Sequence, residues 1–207
     1  MMMRLQSEPN GRPQPIHRGA TGPFQERLMD TKARVVTAVL ANQSCYVQGE
    51  DAPLRYRLLT DTALRLAELN QLAGYFDLSD LAYQYDLTTW VQNTIRLLAI
   101  QLNLPLPTAV WWATHAENDP IANLVQFIGE DVLPKVSQPV LLSFDEADQL
   151  RQAPLATDFW RLLDALQAKQ QQPTGEQLTI VLWGKVAWKA FAEDGRFPAD
   201  ALKQIIL

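Results

Sequence analysis

Short apolar runs alternate with longer amphipathic stretches along the chain, and this alternation lays out its elements. Over residues 24–41, Leu28, Val35, Val36, Val39 and Leu40 supply much of an apolar stripe at helical spacing. Residues 44–47 read as a short strand and the polar stretch 48–53 as a turn. A second helix is expected over about 53–70, with Leu54, Leu58, Leu64 and Leu69 at approximate helical spacing. Pro53 suits its first turn, where a missing N–H costs nothing. Residues 72–78 read as a second strand. Asp86 can cap a third helix that turns Trp90, Ile95, Leu98 and Leu102 inward, and Pro105 and Pro107 stop it. Trp111-Trp112 leads into a helix over about 120–133, carrying Ile121, Leu124, Val125 and Ile128. Residues 140–144 form a third strand, 157–169 a helix, 167–175 a loop, and 178–183 a fourth strand ended by Gly184. Strands separated by helices need parallel crossovers, so the expected fold is a three-layer α/β sheet of four or five strands with helices on both faces.

Ahead of this pattern, residues 1–23 hold Pro13, Pro15 and Pro23 with Gly11, Gly19 and Gly22, a composition that breaks both helix and strand. They are expected to be a flexible arm before one domain over 24–207. With 47% hydrophobic and 20% charged residues, the 207-residue chain has the composition of a globular protein. A net charge of −5 and no visible basic stripe argue against a protein that tracks nucleic-acid phosphates. The one cysteine, Cys45, excludes an intrachain disulfide framework, and no signal peptide is seen, so a cytoplasmic location is the default. The longest apolar runs are too short for a bilayer. His17 and His115 lie far apart, in loop-like contexts, without metal-ligand spacing. Arg55, Arg57, Arg65 and Lys32 form a dispersed basic set that reads as a solvated face.

The chemistry is concentrated in Val140-Leu141-Leu142-Ser143-Phe144-Asp145-Glu146-Ala147-Asp148. An apolar strand ending in Asp-Glu has the form of a Walker B strand. In that reading Asp145 holds Mg²⁺ and Glu146 activates water. The plainer reading is a buried parallel strand with polar residues at its end, where Asp145 or Asp148 caps the next turn. Asp77, at the end of the second strand, is either a neighbour of Asp145 across the sheet or a strand-end acid. No G-x-x-x-x-G-K-[ST] loop occurs anywhere in the chain.

The order of these segments resembles the AAA-like P-loop ATPase domains of cyanobacterial multidomain signalling proteins, which are STAND-like in style. The resemblance covers about residues 15–207. It rests on Ser44-Cys45-Tyr46-Val47, on Tyr75-Phe76-Asp77-Leu78-Ser79, on residues 87–104 with Trp90, on Trp111-Trp112, on Phe144-Asp145-Glu146-Ala147-Asp148, and on residues 178–184. In that family the first strand runs into a Gly-Lys-Ser/Thr loop. Here it runs into Gln48-Gly49-Glu50-Asp51-Ala52-Pro53-Leu54, with Gly49 the one residue left for a cofactor-binding role. No lysine reaches the phosphates, no hydroxyl follows for Mg²⁺, and Pro53 has no N–H to give. Glu50 and Asp51 stand where an anion would bind and can cap the helix themselves. A carboxylate about 4 Å from a phosphate oxygen costs roughly 4 kcal/mol at an effective dielectric of ~20.

The resemblance therefore implies a degenerate, non-catalytic regulatory or interaction module with no cofactor. The alternative is a weak ATPase or nucleotide switch that binds ATP-Mg through Asp145 and Glu146. Protein partners or self-association are expected, and neither nucleic acid nor membrane. The strand ending at Asp145 should be central, flanked by those at 44–47 and 178–183, with 75–78 further out beside Asp145's strand. The family's domain continues into a further strand and a helical lid, so the chain reads as C-terminally reduced. Apolar surface near Trp183, Trp188, Phe191 and Ile205-Ile206-Leu207 is expected to lie uncovered.

Overall fold

The computed structural model describes residues 22–79, 86–190 and 202–207. The expected arm at 1–21 and the position of Phe191 lie outside them. In chain order the elements are α1 (Pro23–Leu40), β1 (Cys45–Gln48), α2 (Ala52–Glu68), β2 (Leu72–Asp77), α3 (Leu87–Gln101), α4 (Thr108–His115), α5 (Pro120–Gln126), β3 (Val140–Asp145), α6 (Ala156–Gln170), β4 (Leu178–Gly184) and β5 (Lys203–Ile206). The five strands form one parallel sheet in the order β2-β3-β4-β1-β5.

Strand side chains alternate between faces, and that period sorts the apolar residues into two cores. Tyr46, Val140, Leu142, Phe144, Ile180 and Leu182 point to the face covered by α3, α5 and α6. Cys45, Val47, Leu141, Val181 and Trp183 point to the face covered by α1 and α2. With both faces covered, β3 and β4 are buried along their whole length, as parallel strands require. The three-layer α/β expectation holds.

Several details differ from expectation. β3 is flanked by β2 and β4, and β4 separates it from β1, so β1 is not its neighbour. The strand expected to be missing is present as β5, beside β1. It is short, and only Ile205 in it is buried. Trp183, Trp188 and Ile205 are fully buried rather than uncovered; in that region Ile206 is exposed. Leu64 also faces solvent, because the buried stripe of α2 runs through Arg55, Leu58, Leu59, Thr62 and Leu66. His115 closes the helix α4 instead of lying in a loop. The helix expected over 120–133 is α-helical only to Gln126 and continues as a π-turn (Phe127–Val132) and a 3₁₀ turn (Leu133–Lys135). Gly129 sits in that widened turn, where Lys169 crosses so closely that a Cβ would lie 2.5 Å from its Cε.

Candidate functional site

The strand-end acids meet the start of α2. Three residues, Gly49, Glu50 and Asp51, join β1 to α2. Asp51 caps the helix, its Oδ1 accepting from the Leu54 N–H at 2.9 Å, which fixes the positive helix end on a carboxylate of the chain itself. The Gly49 N–H donates to the Gly184 carbonyl at 2.9 Å. Gly49 packs closely on the end of the chain: a Cβ there would lie 2.9 Å from Leu207 Cδ2, which would have to move aside. The turn is tight and capped: its Gly49 N–H is already used, and so is the Leu54 N–H in the first turn of α2.

One turn into α2, Arg55 points inward and is 1% exposed. Its Nε donates to Asp145 Oδ1 at 3.0 Å, its Nη1 to the Gly49 carbonyl at 2.9 Å, and its Nη2 to Glu146 Oε1. One guanidinium therefore ties the β1–α2 turn to both strand-end acids. Burying it without partners would cost several kcal/mol; here its planar fork is satisfied along three directions. Burial pulls the Arg55 pKa down, but the hydrogen bond and charge of Asp145, with Glu146 and Asp148 behind it, outweigh that and raise it. The sequence reading of Arg55 as part of a solvated face is overturned. The missed signal was its place in the stripe with Leu58, Thr62 and Leu66.

Glu146 is brought to Arg55 by an unusual backbone. It lies in the left-handed region, φ 55° and ψ 35°, directly after β3. A non-glycine residue there carries strain of about 1–2 kcal/mol, and strain of this kind clusters at sites. The Glu146 N–H donates back to Asp145 Oδ1 at 2.8 Å. Tyr75 Oη donates to Asp145 Oδ2 at 3.4 Å; burial and then the charge of Asp145 raise the Tyr75 pKa.

The other candidates separate from this cluster. Asp77 is the register partner of Asp145, but it is exposed and accepts from the Ser79 N–H at 2.9 Å. Asp148 turns to β4, accepting from the Lys185 N–H at 2.9 Å and pairing with Lys185 Nζ at 3.2 Å. Gly184 must be glycine, because a Cβ would sit 2.3 Å from Tyr46 Oη. Cys45 is buried, and burial pushes its thiol up to about 12 from an ordinary 9.0, with Lys203 opposing, so it is inert packing. Trp111 donates from Nε1 to Asp131 at 2.6 Å and stacks on His115 at 4.0 Å. Two surface clefts, about 970 Å³ between α5 and α6 and about 420 Å³ between α3 and α4, lie elsewhere and include neither Arg55 nor the acids. Among the described residues no group of three or more His, Cys, Asp or Glu is arranged to hold a metal. None of the described helices is long and apolar enough to cross a membrane.

Set against known proteins, the chain matches no family profile and no curated sequence. Its fold does have solved counterparts. The ORC2 protein of Aeropyrum pernix, in ADPNP-ADP complexes, superposes with a TM-score of 0.60 at 12% identity over 89% of this chain and 48% of that one. The ORC1 protein of Aeropyrum pernix, in complex with DNA, superposes with a TM-score of 0.53 at 14% identity over 86% and 44%. The chain thus spans less than half the length of these neighbours, and the likeness is one of fold. The molecule has an AAA-like P-loop NTPase fold, with a five-stranded parallel sheet between helices.

Proposed function

We propose that the domain is a degenerate, cytoplasmic AAA-like module of the cyanobacterial multidomain signalling kind, in which an internal ion pair replaces the nucleotide. It serves as a non-catalytic regulatory or protein-interaction unit. The observation that carries this reading is Arg55, buried between Asp145, Glu146 and the Gly49 carbonyl. The residues present do not fit a triphosphate with Mg²⁺. The carboxylates of a Walker B pair already have their cation, the helix end has its anion in Asp51, and the turn lacks both the lysine and the hydroxyl. A net charge of −5 supports a protein partner over nucleic acid, although the ORC1 neighbour was solved with DNA.

Calorimetry with ATP-Mg²⁺ tests the reading directly, with a labelled DNA duplex titrated in parallel. No heat of binding at millimolar ATP-Mg²⁺, no hydrolysis and no shift of the duplex are expected. A micromolar dissociation constant, or hydrolysis abolished by Glu146→Gln, would establish the nucleotide switch instead.

A further inference from the structure

The second device lies at the sheet's other margin. β2 is an edge strand. Its even-numbered residues face β3: the Leu72 N–H donates to the Pro139 carbonyl and the Leu78 N–H to the Asp145 carbonyl, both at 3.0 Å. Backbone direction alternates along a strand, so Ala73, Tyr75 and Asp77 turn their N–H and C=O groups outward. At the middle one, both groups are taken by a single side chain. The Tyr75 N–H donates to Gln101 Oε1 at 2.7 Å, and Gln101 Nε2 donates to the Tyr75 carbonyl at 2.9 Å. The amide of Gln101 acts as one rung of an absent strand.

Its reach depends on Gly74. A Cβ at that position would lie 2.6 Å from Leu98 Cδ1, so the bare glycine lets α3 settle onto β2. Gln101, about one turn beyond Leu98, is thereby carried to the edge. Gln101 is itself exposed and has water for its own hydrogen bonds. What the geometry adds is closure of the strand.

We propose that Gln101 guards the β2 edge against pairing with a second copy of this chain. Open edges are blunted by several devices, among them bulges, covering elements, Pro, and charged side chains, Lys above all. β2, Leu-Ala-Gly-Tyr-Phe-Asp, has neither Pro nor Lys, whereas the opposite edge strand begins with Lys203. The strand is also complementary to itself. An antiparallel two-fold centred on Tyr75 sets Tyr75 against its own copy and Ala73 against Asp77 on both sides, so the one charge of the strand meets alanine and never its like. The guard removes the central pair of this ladder.

The test compares the wild-type chain, Gln101→Ala and Gln101→Glu by sedimentation equilibrium and residue-resolved amide hydrogen exchange. In the wild type the Tyr75 amide is expected to be protected. In dilute Gln101→Ala it exchanges freely, then regains protection as concentration rises, with self-association at least about tenfold tighter than wild type, or some 1.4 kcal/mol. Gln101→Glu keeps the acceptor for the Tyr75 N–H, loses the donor and falls between. Protection elsewhere in the sheet shows that the variants stay folded. Self-association unchanged in Gln101→Ala, or a Tyr75 amide still protected in its dilute form, would overturn the proposal.

Discussion

Asp77 and Asp145 end neighbouring strands at the same level, as register partners, yet they live in different surroundings. Asp145 ends a strand flanked on both sides and is buried; Asp77 ends the edge strand and is exposed. Asp145 meets a guanidinium that α2 delivers across the top of the sheet, while Asp77 meets the Ser79 N–H two residues on. The difference teaches that the residue type at a strand end settles little. Position in the sheet decides whether a carboxylate is solvated by water or has to be neutralised by the fold.

The largest expected effect comes from removing the cation. Arg55→Ala leaves Asp145 and Glu146 without their counter-charge, and breaking a buried ion pair from one side costs about 3–5 kcal/mol. Urea denaturation should show it as a lower midpoint at unchanged slope. Asp145→Asn keeps an acceptor near Arg55 Nε but loses the charge, for about 1.5–3 kcal/mol by the same measurement. Glu146→Gln is expected to cost about 1 kcal/mol or less, because that carboxylate is 22% exposed and water screens it. Asp77→Asn should stay within ~0.5 kcal/mol of wild type, as for an ordinary surface change. An Asp77 variant as damaging as the Asp145 one would erase the contrast between edge and centre.

Cys45 gives a pH-dependent check on the same buried sheet. Its raised thiol pKa favours the folded state fully below the ordinary value of 9.0, and that contribution is lost as pH climbs from there through about 12. Alkylation of Cys45 at pH 8 should proceed only as fast as the chain opens, so adding urea should speed it sharply.

Much of the sheet was legible because its signals are local. The apolar runs at β3 and β4, the polar turn after β1, and the caps Asp51 and Asp86 each lie within a few residues of what they specify. α4 escaped because none of its residues is buried, so it carries no stripe to read. β5 escaped because its four residues bury one side chain, too short an alternation to stand out. The acid half of the site was read from Asp145-Glu146, but its cation was not. Arg55 and Asp145 are 90 residues apart, and only the crossing of α2 over β3 brings them together. Spacing alone could have flagged Arg55: it shares a helical stripe with Leu58, Thr62 and Leu66, and a charge in a buried stripe needs a buried counter-charge. The left-handed backbone at Glu146 had no such signal, since glutamate is not a residue that favours it.

The three-residue turn between β1 and α2 limits what substitution alone could do at this corner of the sheet. Were residue identity the sole difference from a phosphate loop, a few point substitutions would supply one. A phosphate-gripping loop needs about eight residues, part of them in the helix start, so no exchange of side chains among Gly49, Glu50 and Asp51 can rebuild it. Residues would have to be inserted, and Arg55 would also have to leave Asp145 and Glu146. The length of the turn, more than its composition, sets how far this corner of the sheet stands from a phosphate-gripping loop.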